Sequence, residues 1–257
     1  MQPRNRFFAF LFVIDVFISP LGLMADQKEL LESILENILR CDDEMHQKMK
    51  RFEYDQYVLT RRYNSAGKEV EKKQLTMSVR PSGQTLLSVV ANKSGVVNTE
   101  DESALNKTKA AQDSRKIESK FSVRCLLPRF DVWLIGEESW QNYPAYVLGF
   151  KPKAKDNQKP YTDRMEKVLA HLAGKMWVSK TDYIILRTEA ELSEPVDLAW
   201  FFAKMESMSF RFEAQWVSGL GFVPRSFILD YKVRILTSVS RHYQIVTMSG
   251  HRPRHGK

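Results

Sequence analysis

From Ser207 to Val246 the chain alternates apolar and polar residues with almost no interruption. Met208, Phe210, Phe212, Ala214 and Trp216 alternate with Ser209, Arg211, Glu213 and Gln215. After Gly219-Leu220-Gly221, the residues Val223, Phe227, Leu229, Tyr231, Val233 and Ile235 alternate with Ser226, Ile228, Asp230, Lys232 and Arg234. A period of two sustained this long requires long antiparallel strands with one apolar and one wet face. The apolar face is broad and aromatic, so something must cover it.

One long helix is available as cover. Leu31, Ile34, Ile38, Cys41, Met45 and Met49 recur at spacings of three and four, opposite Glu32, Glu36, Asp43, Gln47 and Lys50. Asp26 followed by Glu29 reads as an N-cap with its capping-box partner. Strands are predicted over 52–63, 69–79, 85–91, 130–138, 145–151, 174–179 and 183–192, separated by turn residues. Residues 92–121 are polar, with apolar positions too sparse for a core strand. They read as an insertion or lid containing an exposed helix. Residues 195–204 hold three adjacent aromatics that cannot share one face of a strand, so a helical turn is preferred there to a sheet crossing. Residues 250–257 read as a basic tail. The expected fold class is mainly β: an incomplete antiparallel barrel of roughly nine to eleven strands, covered by one long N-terminal helix and short helices.

The segment 1–25 reads as a signal peptide. Arg4 and Arg6 precede the apolar run from Phe7 to Phe17, and the residues to Ala25 form a more polar exit. Asp15 within that run argues against a permanent membrane anchor. The formal net charge of +8 is dispersed among acidic neighbours, which favours a solvated basic surface. Of the two cysteines, Cys41 falls on the helix stripe, where a small buried hydrophobe is expected. A bridge to Cys125 would need the two Cα atoms within about 7 Å.

Chemistry-bearing motifs are missing. The chain has no HExxH, no paired CxxC, no GxxxxGK and no GxSxG. No residue is assigned a catalytic, cofactor-binding or metal-binding role. His171 and His242 lack partners at ligand spacing and read as surface or edge histidines. Glu189 and Glu191 share a strand face with Arg187, which reads as ion pairing on a wet face. Nucleic acid is not expected as a partner, because Glu213 interrupts the basic side of the aromatic strand.

Gly174-Lys175-Met176-Trp177-Val178-Ser179-Lys180-Thr181-Asp182-Tyr183, followed by Leu186-Arg187-Thr188-Glu189, resembles a hairpin of the outer-membrane lipoprotein-sorting (LolA/LolB-like) family. Tyr143-Pro144-Ala145-Tyr146-Val147-Leu148 and Gly221-Phe222-Val223-Pro224 resemble other hairpins of such proteins. Ser179 stands where the pattern has Asp. The resemblance spans residues 52–247 and implies a half-barrel, closed by helices, with an apolar cavity for acyl chains. None of the family's functional residues can be carried over.

These readings converge on an expected periplasmic, non-enzymatic monomer in the domain 26–249, without cofactor, that carries lipid or lipoprotein acyl chains. Envelope membrane proteins are possible further partners. Leu31, Ile34, Ile38, Met208, Phe210, Phe212, Trp216, Phe227, Leu229 and Tyr231 are the expected cavity lining. Two alternatives stand beside it. One is a sheet whose aromatics simply pack beneath the helices; the other is a regulatory module of the RseB type that binds a partner protein.

Overall fold

The computed structural model describes residues 20–49, 51–80, 86–88, 123–154, 164–199 and 202–253. The insertion expected at 92–121 and most of the segment expected to be a signal peptide lie outside them.

Helix α1 (Pro20–Met49) is followed by β1 (Phe52–Tyr63), β2 (Glu69–Arg80) and β3 (Leu86–Ser88). A short helix α2 (Val123–Leu126) and a 3-10 turn (Leu127–Arg129) lead into β4 (Phe130–Trp140) and β5 (Tyr143–Pro152). Helix α3 (Arg164–Leu169) precedes β6 (Leu172–Ser179), β7 (Ile185–Leu192) and β8 (Val196–Ala199). The chain ends on β9 (Ala203–Val217), β10 (Gly221–Ile235) and β11 (Ser238–Pro253). The described strands form one antiparallel sheet of eleven, in the order β3-β2-β1-β11-β10-β9-β7-β6-β5-β4, with β8 paired to β9. The terminal strands β3 and β4 do not pair with each other, so the barrel is incomplete, as expected.

The alternation read in the sequence produces the three longest strands, β9, β10 and β11, of 15 or 16 residues each. At about 3.4 Å per residue they extend roughly 50 Å. The main buried cluster lies between α1 and one face of the sheet, hereafter the inner face. Ile34 and Ile38 are almost wholly buried there with Leu148, Val178, Met205 and Met208. Burying each such aliphatic side chain contributes on the order of 1.5–3 kcal/mol. A second cluster joins Ala145, Val147, Trp177, Leu186, Ala214 and Phe222. On β5, Ala145 and Val147 point opposite to Leu148 and Phe150, so this strand is packed on both faces.

Two glycines permit this packing. A Cβ on Gly174 would lie 1.9 Å from the Glu189 carbonyl oxygen, so only glycine lets β6 approach β7 this closely. Gly149 lies beneath the Trp133 indole, whose nearest carbon would be 2.4 Å from an added Cβ.

The structure corrects several expectations. Helix α1 is already formed at Pro20 and runs straight through Asp26, which is therefore not an N-cap in this chain. Within the segment 195–204, residues 196–199 form the strand β8 rather than a helical turn, and 200 and 201, two of its three adjacent aromatics, lie outside the described residues. Val196 is buried opposite Met205, and Phe202, in the turn that follows, is half exposed. The last strand continues to Pro253, past the point where a tail was expected. Gly250, at φ +61°, lies where the register shifts, and Phe52 and Glu53 pair beyond it with Pro253 and Arg252. His171 is buried rather than at the surface, and its Nδ1 lies 2.6 Å from the Lys167 carbonyl.

Candidate functional site

The register places the expected lining residues in transverse rows on the inner face. Phe212 of β9 faces Phe227 of β10, which faces Val246 of β11, then Val58 of β1 and Leu75 of β2. This row is apolar across five strands. The next row reads Phe210, Leu229, Gln244, Thr60 and Lys73, and the third Met208, Tyr231, His242, Arg62 and Glu71. The inner face is therefore graded. It is apolar on β9 and β10, and it turns polar on β11, β1 and β2 one residue pair along.

Helix α1 covers only part of it. Ile34, Ile38 and Met208 are buried in the main cluster, with Leu31, Phe210, Leu229 and Tyr231 packed against it. Phe227 touches the rings of Phe210 and Phe212, with centroids 6.3 and 5.1 Å away. Phe212 itself packs against the second cluster. Among the described residues, Phe227, Val246, Val58 and Leu75 belong to neither buried cluster, and all four are only half-buried. Trp216 stands apart from the other nine expected residues. It is 51% exposed and packs edge-to-face on Phe222, with Tyr143 stacked beside it.

The polar row has its own electrostatics. Tyr231 and His242 stack with ring planes 4° apart and centroids 4.9 Å apart. Burial raises the Tyr231 phenol above its ordinary value. Burial, and then the neighbouring Arg62 charge, hold His242 below the usual histidine range, with Glu71 opposing them. Ser240 Oγ lies 3.0 Å from His242 Nε2. Arg62 Nε donates to Glu71 at 2.8 Å, and Lys73 also pairs with Glu71. This third row thus offers a phenol, an imidazole and a guanidinium paired with one carboxylate, which Lys73 of the row before it also meets. Single-strand patterning could not find it, because it exists only once β1 pairs with β11.

On the outer face, Arg187 pairs with Glu189, which also accepts from Arg211 at 3.1 Å. The expected ion pairing is present there for Arg187 and Glu189, with an addition. The Arg187 guanidinium lies 4.3 Å from the Trp140 ring centroid and 5.1 Å from that of Trp177. Trp177 Nε1 donates to Glu138 at 2.9 Å. Ser179, which stands where the hairpin pattern has Asp, holds the turn with its hydroxyl. Its Oγ accepts from the Thr181 and Asp182 backbone N–H groups at 3.3 and 3.1 Å, closing the turn. Cys41 is a free, buried thiol whose pKa burial raises. No cluster of metal-ligating side chains occurs among the described residues, and none of their helices is long and apolar enough to cross a membrane.

No protein-family model and no curated protein matches the chain. Among solved structures, it is similar to a LolA superfamily protein from Nitrosomonas europaea, at 12% identity, TM-score 0.34, covering 86% of this chain and 94% of that one. A domain described as an outer membrane lipoprotein-sorting protein, from Vibrio parahaemolyticus, is similar at 12% identity, TM-score 0.34, with 87% and 94% covered. A Pseudomonas aeruginosa MucA/MucB complex structure follows at 10% identity, TM-score 0.28, with 87% and 99% covered. Two of the three carry the family name that the sequence resembles. Likeness at this level says nothing of this chain's ligand or partner.

Proposed function

We propose that this protein is an exported, non-enzymatic carrier that holds acyl chains against the inner face of its sheet. The observation that supports it best is the apolar row Phe212–Phe227–Val246–Val58–Leu75, which crosses five strands, while the last four lie outside both buried clusters. An acyl chain laid along that row would gain about 0.8 kcal/mol per methylene withdrawn from water. The row of Tyr231, His242 and Arg62, two rows along from the apolar one, suits the polar end of the same molecule, since a headgroup needs hydrogen-bonding partners where the tail needs none. The sequence resemblance to lipoprotein-sorting proteins points the same way.

An environment-sensitive fluorescent fatty acid, titrated into the purified and delipidated protein, tests this reading. Saturable enhancement is expected, and Phe227→Glu should abolish it while far-ultraviolet circular dichroism stays unchanged. Binding that survives Phe227→Glu would place the ligand elsewhere. A folded, lipid-free protein that takes up no probe would refute acyl carriage.

A further inference from the structure

The Trp133 indole is 42% exposed, an uncommon setting for so large an apolar ring. It stands on the outer face of β4, directly across from Gly149 of β5. An added Cβ on Gly149 would overlap three atoms of the indole, so the ring lies flat across the glycine. Glycine inside a strand weakens it and marks a close approach, here that of the ring itself. One face of the indole therefore rests on the sheet and the other is left open. Ile135, in the bulge that follows, is 46% exposed and lengthens this shelf. Charged side chains border it. Asp131 and Lys151 face each other two residues along the same strands, and Lys175 stands beyond Gly149 on β6, followed by Glu189 and Arg211. Asp131, Lys151 and Lys175 are all exposed. Because β4 ends the order of the described strands, the shelf lies along an edge of the sheet.

We propose that this shelf binds a β-1,4-linked glycan, with one pyranose ring stacked on Trp133. In such a chain of gluco-configured sugars the ring substituents are equatorial, so each ring presents a face of axial C–H bonds. Those weakly positive hydrogens meet the negative face of the indole, while hydroxyl groups at the edge of the sugar reach the charged border. Each alternative occupant lacks something here. An acyl chain needs apolar walls on several sides, and the shelf has only a floor. A stable protein partner buries roughly 800 Å² of each surface, far more than one indole face and an isoleucine offer. A single strand of nucleic acid also stacks on aromatic rings, but Asp131 and Glu189 interrupt the cations that would follow its phosphates. The shelf lies on the opposite face from the one proposed for acyl chains, so the two readings stand or fall separately.

Proton–nitrogen NMR of the isotope-labelled full chain, titrated with cellotetraose and chitotetraose, reads the five tryptophan indole N–H groups separately. The Trp133 signal should shift saturably with a dissociation constant of about 1 mM, the range that one stacked ring and a few hydrogen bonds support. Maltotetraose, whose axial linkages curve the chain away, should bind more weakly. Trp133→Ala should abolish the binding heat in calorimetry, while Trp216→Ala, which removes an exposed indole elsewhere, should not. Gly149→Ala keeps the indole but lifts it from the sheet, and should weaken binding about tenfold. Lys175→Ala, at an exposed position, should weaken it about threefold, and it decides the matter if Gly149→Ala fails to fold. Tetrasaccharides that leave the Trp133 signal unmoved, or binding that survives Trp133→Ala, would overturn the proposal. So would maltotetraose bound as tightly as cellotetraose, or a Trp133 signal shifted by oligothymidylate and not by the sugars.

Discussion

His242 shows how one residue's setting becomes a measurable property. Its folded pKa is depressed by burial and by Arg62, so the folded state binds the proton less readily than the unfolded chain. Stability is then unaffected well above the unfolded pKa of about 6.5 and falls as pH drops through and below it. His251, stacked on Tyr54 and also depressed by burial, contributes with the same sign. Denaturant midpoints measured from pH 8 to pH 5 should decline, and His242→Gln should flatten part of that decline; a profile unchanged by the substitution would contradict the assignment. Arg187 gives a second prediction. Its guanidinium is stacked on two indoles and paired with Glu189, so Arg187→Ala should destabilise by about 2 kcal/mol in urea unfolding. Arg187→Lys should recover little, since an ammonium cannot stack as a planar fork does. The sequence placed Arg187 and Glu189 on one wet face because alternation is local. It could not place Trp140 beside them, because that contact spans β4 to β7.

At the scale of elements, periodicity was the legible signal. Phe52–Tyr63 is the strand that its alternation predicts, and the stripe of Ile34, Ile38 and Cys41 is the buried face of α1. Errors arose where neighbours decide. Residues 196–199 are a strand because Val196 finds a buried place against β9, a gain that three adjacent aromatics do not advertise. The helix runs through Asp26 because the residues before it are themselves helical. Removal of residues 1–25 would leave Asp26 at the helix start, where its carboxylate complements the exposed backbone N–H groups. Ile38, 1% exposed, reports on how firmly α1 is docked. Ile38→Asp would bury an unpaired carboxylate and should lower stability by about 3 kcal/mol or more. An unchanged melting temperature would mean that α1 is not held on the sheet.

For the whole molecule, the decisive fact is the pairing of the first strand with the last. It sets β1 and β2 beside β11, so the aromatic face of β9 and β10 is extended by Val246, Val58 and Leu75 and bordered by His242 and Arg62. The ten residues expected to line a cavity were chosen by face alone, which is why seven meet in or against the main cluster while Trp216 lies at the surface. The proposed export is tested on the chain as a whole too. Protein recovered from its own host should begin near Asp26, as N-terminal sequencing would detect, and an intact Met1 would contradict cleavage.

Acyl chains held on the inner face are the central claim, and photo-crosslinking tests it most directly. A fatty acid carrying a diazirine along its chain is bound, irradiated and mapped by peptide mass spectrometry. Labels should fall on inner-face residues of β9, β10 and β11, with Phe227 and Val246 foremost, and should be displaced by excess unlabelled fatty acid. Displaceable labelling confined to the outer face around Trp140 and Arg187, or no displaceable labelling at all, would contradict it.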